Sequence, residues 1–269
     1  MSGRVVLLTG LTRSIGIGYA IAQRLLADGA TVFASGWQPH DEEMPWGADL
    51  APIDDFPKDR FHYVEADLAI AETAADLVTA TIERFGAIDC VVANHARSSS
   101  ESMGDVSVEE LDKCWATNTR ASLLLAKALG EQRGEARPGG RVVFFTSGQH
   151  QGPMANEIAY SLSKGAILSM TLSVSDFLAD DGITVNCINP GPVDTGYAKG
   201  VAHEQVRSGF PAGRWGQPRD VANLVAWLLT DDAAWITGQI INSTGGWRGA
   251  SAPIDMATRF DGGSAPVDD

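Results

Sequence analysis

Residues 5–9, Val-Val-Leu-Leu-Thr, run straight into Gly10, and residues 17–27 follow with apolar side chains at helical spacing until Asp28-Gly29 closes them. A strand that stops on glycine and resumes as a helix constrains the chain strongly. The helix must lie back over the strand to bury its apolar face, so the next strand enters parallel to the first. The alternation then repeats. Strand patterns are predicted at 31–35, 61–66, 88–93, 141–145, 183–188 and 238–242, and helical patterns at 71–85, 108–129, 157–170 and 218–229. The expected fold is α/β: a doubly wound parallel sheet of about seven strands with helices on both faces, in three layers.

The chain has 269 residues, 44% of them hydrophobic and 20% charged, enough for one large domain over 1–248 but not comfortably for two. The net charge of −14 opposes phosphate backbones and anionic lipid, so neither nucleic acid nor membrane is an expected partner. No apolar run reaches the length of a membrane span. Cys90, Cys114 and Cys187 are far apart and odd in number, as reduced core thiols would be, and no spacing suggests a metal. The N-terminus passes into its first strand without a leader pattern, which fits a cytoplasmic protein. Two segments break the alternation. Residues 37–60 carry Pro39, Pro45, Pro52 and Pro57 among acidic residues and are expected to form an irregular surface loop. Residues 249–269, poor in apolar side chains, are expected to form a flexible tail.

Between the first strand and helix lies Thr9-Gly10-Leu11-Thr12-Arg13-Ser14-Ile15-Gly16-Ile17-Gly18. Gly10 permits a tight turn, Gly16 the approach of backbone to a pyrophosphate, and Gly18 close packing of helix on strand, with the helix N-terminus facing the anion. The second strand ends at Gly36-Trp37, where a carboxylate for a ribose 2′-hydroxyl is missing; Asp41, Glu42 and Glu43 are near enough to fold back. Arg13 can instead pair with a 2′-phosphate, which points to NADP(H) over NAD(H). Asp67-Leu68 ends the third strand at the sheet edge that binds ligands, where Asp67 either meets an adenine amino group or caps the next helix.

A second constellation falls late in the chain. Tyr160 and Lys164 stand one turn apart on a helix, so an ammonium can lower the phenol pKa from about 10 and make Tyr160 an acid/base for a carbonyl or alcohol oxygen. Ser147, just past the fifth strand, can hold the same oxygen. Asn118 is a poor helix former inside a long helical pattern and needs a reason to be there. His95 is a lone histidine at the end of the fourth strand. The rigid turn Asn189-Pro190-Gly191-Pro192-Val193-Asp194-Thr195 follows the sixth strand and can meet a ligand through its backbone and the Thr195 hydroxyl.

Taken together these positions resemble the short-chain dehydrogenase/reductase family, closest to its 3-oxoacyl-carrier-protein-reductase-like members, over residues 5–247. Thr9-Gly10 with Gly16-Ile17-Gly18 looks like the cofactor loop, Ala93-Asn94-His95-Ala96 like the Asn-Asn-Ala-Gly stretch, and Arg214-Trp215-Gly216-Gln217-Pro218 and Gly245-Gly246 like C-terminal signatures. The resemblance implies a Rossmann-like fold and a tetrad of Asn118, Ser147, Tyr160 and Lys164. In it Tyr160 transfers the proton, Lys164 lowers its pKa and binds the nicotinamide ribose, Ser147 steadies the substrate oxygen, and Asn118 holds a relay water. It also implies cofactor contacts from Gly10, Thr12, Arg13, Ile15, Gly16, Ile17, Trp37, Asp67, Leu68, Asn94, Tyr160, Lys164, Pro190, Gly191, Val193 and Thr195. A homo-oligomer, tetramer or dimer, is implied as well. The spacing from Gly10 to Gly16 is longer than in the family's common loop and is similar to its enoyl-reductase branch, although that branch sets its Tyr and Lys farther apart. The expected activity is NAD(P)(H)-dependent hydride transfer on a carbonyl/secondary alcohol. The alternatives are an enoyl-reductase-like enzyme and a dinucleotide sensor or scaffold without turnover. Residues 196–211, with Tyr197, His203 and Phe210, are expected to form a lid over the substrate, and Gln149, His150, Gln151 and Met154 to line its pocket.

Overall fold

The structure, a computed structural model, describes residues 1–49, 51–133 and 139–249. Seven strands form one parallel sheet: β1 (Val5–Thr9), β2 (Thr31–Gly36), β3 (Phe61–Glu65), β4 (Cys90–Ala93), β5 (Gly140–Phe145), β6 (Ile183–Asn189) and β7 (Ile240–Asn242), in the order β3-β2-β1-β4-β5-β6-β7. The order reverses between β1 and β4, so the crevice at their C-terminal ends is the natural ligand edge.

Because neighbours along a strand point to opposite faces, one short run supplies both cores. Val6 and Leu8 pack with Ile21 and Leu25 of helix α1 (Ile17–Ala27) and with Val221 and Val225 of a late helix, Pro218–Leu228. Leu7, between them, joins Val91, Val142 and Val185 on the other face, under Leu77, Leu125 and Ile167. A central strand covered on both sides leaves no position for water, which is why β1 reads as continuous Val and Leu, whereas the edge strands β3 and β7 keep exposed positions.

Residues 37–60 are not simply irregular. Helix α2 occupies Gln38–Glu43, and a 3₁₀ turn occupies Ile53–Asp55. Pro39 lies in the first turn of α2, where the missing N–H has no intrahelical partner to lose. Helix α3 (Thr73–Phe85) ends on left-handed Gly86. The single helix expected over 108–129 is α4 (Val108–Cys114), a π turn at Trp115–Arg120, and α5 (Ala121–Gln132). Helix α6 (Ile158–Phe177) runs longer than its sequence pattern, and α7 (Gly200–Ser208) lies inside the expected lid, followed by α8 at Pro218–Leu228. The expected tail lies outside the described residues apart from Gly249.

Candidate active site

The first part of the site is the glycine loop. Gly10 has φ +77°, and a Cβ on it would stand 2.7 Å from the backbone N and Cα of His95. A Cβ on Gly18 would lie 2.3 Å from the Gly10 carbonyl oxygen, so α1 can approach β1 only with glycine there. Asn94 fixes the turn from the next strand, donating Nδ2 to the carbonyls of Thr9 and Gly10 at 3.2 and 3.0 Å. Its side-chain amide is thereby spent on the loop. Gly16 caps α1 from an extended conformation, and Ile17 opens the helix toward the crevice. The long spacing carries the loop outward. A Cβ on Gly196, after β6, would meet Ile15 Cδ1 at 2.9 Å and an Arg13 guanidinium nitrogen at 3.6 Å, so the loop tip packs on the turn after β6.

The segment after β2 wraps this loop. Asp41 is buried and accepts hydrogen bonds from Thr12 Oγ1 and Trp46 Nε1. The Thr12 carbonyl accepts from Ala51 N, and Ser14 bonds Asp49 through both backbone and side chain. Of the three acidic residues able to fold back, Asp41 is the one that does. Its neighbours reach further: Ser98 N–H donates to His40 Nε2 at 3.1 Å, and Glu43 lies 3.6 Å from Arg97, whose guanidinium is held bidentate by Glu110. Burial and the Arg97 charge both hold the His40 pKa below its ordinary value, which suits an acceptor nitrogen. Trp37 is the N-cap of α2 and is exposed.

Two features suit this loop to a dinucleotide: Gly10 and Gly18 let loop and helix pack tightly on the ends of β1 and β4, and the Arg13 Nε is buried without a hydrogen-bond partner. Trp46 lies 5.9 Å from the same guanidinium. Asp67, at the end of β3, accepts from Ala69 N at 2.8 Å, so it closes its own turn and does not cap α3, which starts later. Leu68 is buried in the core beside it. Past β6, Gly191 takes φ +64°, and its N–H donates to Asn189 Oδ1. Pro190 and Thr195 are half-buried there. Val193 turns its side chain into the core and bridges Gly216, so only its backbone faces the crevice.

The second part gathers Ser147, Tyr160 and Lys164 at the C-terminal ends of β5 and β6. The Ser147 hydroxyl stands close enough to the Tyr160 phenol to act on its pKa. Lys164 is buried beneath, 5.8 Å from the centre of the phenol ring, and donates Nζ to the Phe145 carbonyl at 3.0 Å. The expectation that Lys164 pulls the Tyr160 pKa down is not met. Burial, seconded by Glu157, pushes the phenol up to about 12, with only the Ser147 hydroxyl acting the other way. Lys164 itself is pushed down to about 8 by burial. In a desolvated site both groups favour their neutral forms, and an ammonium aimed at a carbonyl does not offset that for its neighbour.

Asn118 sits wholly buried in the π turn. Its Oδ1 accepts from Arg97 N at 2.7 Å, and its Nδ2 donates to Arg97 O and to Ser163 Oγ, beside Lys164. Both Nδ2 hydrogens and one lone pair of Oδ1 are engaged, so the side chain joins helix, loop and α6. The residues expected to line the pocket are largely tied back. His150 Nε2 donates to Asn242 Oδ1, Gln151 Oε1 accepts from Asn189 Nδ2, and Gln149 donates to Thr146 Oγ1 while its own Oε1 is buried without a partner. The lid region packs on itself: His203 stacks on Trp215 at 4.8 Å and meets Asp194 at 3.1 Å, with Tyr197 and Phe210 beside them. Among the described residues no cluster could hold a metal ion, and no helix is long and apolar enough to cross a membrane. Sequence reasoning missed the Arg97, His40 and His95 contacts; the one signal available was the mid-helix Asn118.

Comparison with known proteins agrees with this geometry. The family model described as enoyl-(acyl carrier protein) reductase matches residues 10–248. The oxidoreductase YjdA of Bacillus subtilis (strain 168) is 34% identical over 251 residues, covering 91% of this chain and 96% of that protein. A blue fluorescent protein from a metagenomic library, solved in complex with NADPH, superposes with a TM-score of 0.79 at 27% identity, covering 92% of this chain and 99% of its own. BdcA, also solved with NADPH, gives a TM-score of 0.79 at 27% identity over 94% and 97% of the two chains. On the matched span and the shared seven-stranded architecture, the chain belongs to the short-chain dehydrogenase/reductase family of oxidoreductases.

Proposed function

We propose that this protein is an NAD(P)(H)-dependent oxidoreductase that moves a hydride between the nicotinamide and a carbonyl/secondary alcohol carbon, with Tyr160 as the acid/base. The observation that carries the reading is the convergence of Ser147 and Tyr160 over a buried Lys164, whose Nζ lies 5.8 Å from the phenol ring centre, at the same sheet edge as the glycine loop. When bound, the cofactor supplies or takes up the hydride. The chain does the rest. Ser147 steadies the substrate oxygen, Tyr160 gives it a proton during reduction or takes one during oxidation, and Lys164 holds the floor of the site and the nicotinamide ribose. Asn118 keeps α6 in place against the turn after β4. Gly10, Gly16 and Ile17 present the backbone to the pyrophosphate, and Pro190, Gly191 and Thr195 flank the nicotinamide.

NADP(H) is the favoured cofactor. Arg13 supports it, and two solved neighbours were crystallised with NADPH. Residues 196–211 form the substrate lid in this reading, and copies pair through α6, where Leu162, Leu172 and Phe177 stand exposed. An enoyl-reductase-like activity is a second reading, favoured by the long glycine loop and the family model's description. One spectrophotometric screen separates them: purified protein with NADPH or NADH against ketones, β-keto thioesters, quinones and an enoyl thioester. Carbonyl reduction supports the first reading. Reduction of the enoyl thioester alone supports the second, and no turnover of any of them despite NADPH binding contradicts both.

A further inference from the structure

His95 joins the two halves of the candidate site. Its ring is buried, and its Nε2 lies 2.9 Å from the Thr117 carbonyl oxygen, which can only accept. Nε2 therefore carries the hydrogen, and Nδ1 receives the Thr9 hydroxyl at 2.6 Å. Burial, with the nearby Lys164 charge, pushes its pKa down to about 3, so the ring is neutral at any ordinary pH. A ring locked in one tautomer with both nitrogens engaged is no acid or base. It is a spacer with a donor at one end and an acceptor at the other.

What it spans is specific. Thr9 ends β1 and precedes Gly10, whose turn packs on the His95 backbone itself. Thr117 lies in the π turn and precedes Asn118. There the Ala121 amide bonds the Ala116 carbonyl, five residues back, and so leaves the Thr117 carbonyl without its α-helical donor. A half-buried carbonyl left unpaired still has a cost. The His95 N–H takes that place. The π turn in turn puts Asn118 Nδ2 on Ser163 Oγ, next to Lys164.

We propose that His95 is a positioning residue: by bonding Thr117 O and Thr9 Oγ1 together it sets the distance between the glycine loop and the Asn118–Ser163–Lys164 side, and so the alignment of Tyr160 with the nicotinamide. The proposal rests on the hydride-transfer reading above. Two neutral variants separate the ends of the ring. The amide of His95→Gln reaches about as far as Nε2 and keeps the donor to Thr117 O, whereas that of His95→Asn reaches only to the place of Nδ1 and loses it.

The experiment measures NADPH dissociation constants by fluorescence, and kcat and KM for the carbonyl of the screen that wild type reduces fastest, with Tyr160→Phe alongside. His95→Asn is expected to lower kcat on the order of tenfold or more while NADPH affinity and KM stay within about threefold, and His95→Gln to recover most of kcat. Equal kcat in the two variants, or a loss confined to KM or to NADPH affinity, overturns the proposal. Should His95→Asn fail to fold, ¹⁵N NMR of the wild-type histidines decides: a neutral Nε2–H tautomer at pH 6 supports it, and an Nδ1–H or charged ring overturns it. An active Tyr160→Phe would sink the parent reading. An inactive Tyr160→Phe beside a fully active His95→Asn would sink this inference alone.

Discussion

Lys164 Nζ lies 5.8 Å from the centre of the Tyr160 ring and gives its hydrogen bond to the Phe145 carbonyl at 3.0 Å. The ammonium thus sits under the phenol without being spent on it. With the phenol pushed up to about 12, ultraviolet difference spectra of wild type against Tyr160→Phe are expected to show no phenolate below pH 9 in the cofactor-free protein. A phenolate signal at neutral pH would mean that Lys164 governs Tyr160 without the cofactor.

Lys164 is also a stability cost. It is 2% exposed, and its pKa is pushed down to about 8. A group depressed in the folded state stabilises above its unfolded pKa, near 10.5, and that contribution is lost as pH falls through about 8. At neutral pH the burial costs up to about 3 kcal/mol, offset by about 1 kcal/mol from the bond to Phe145. Lys164→Met is expected to abolish turnover and to raise the unfolding free energy by about 1–2 kcal/mol in urea titrations. An active or destabilised variant would contradict this.

The histidines set an acid limit. His95, with a folded-state pKa of about 3, and His40, also lowered, contribute stability above the unfolded value of 6.5 and lose it as pH falls toward their folded values. Each pH unit in that window costs up to about 1.4 kcal/mol per histidine. Urea midpoints are expected to fall steadily below pH 6.5, with a shallower slope in His95→Gln. An unchanged slope in that variant would remove His95 from the account.

Arg13 is the candidate partner of a 2′-phosphate. Arg13→Ala is expected to weaken NADPH binding by about tenfold or more and to leave NADH binding within about twofold, read by fluorescence titration. Equal weakening of both would mean that Arg13 serves only the loop, and that Asp41, buried against Thr12, decides the cofactor instead.

The sheet was legible because its information is local. Val5–Thr9 is a buried strand by composition, and Gly10 and Asp28-Gly29 are stops by backbone chemistry. The glycine loop and the Tyr160–Lys164 pair were legible for the same reason, one from glycine spacing and the other from the helical period. What escaped depends on partners distant in sequence. The Thr117 carbonyl of the π turn beside Asn118 meets His95, more than twenty residues earlier. Asp41 is a site residue only because Thr12 and Trp46 meet it. Pro39 reads as a breaker until the chain turns before it and makes it the opening of α2. The Tyr160 pKa was misjudged because helical spacing shows proximity and hides burial.

The most direct test is stopped-flow hydride transfer from NADPH to the carbonyl that wild type reduces fastest, in Tyr160→Phe. Removal of one hydroxyl is expected to cut the rate by about a thousandfold or more while NADPH affinity stays within about threefold. A variant that transfers hydride at the wild-type rate would show that Tyr160 is not the acid/base of this protein.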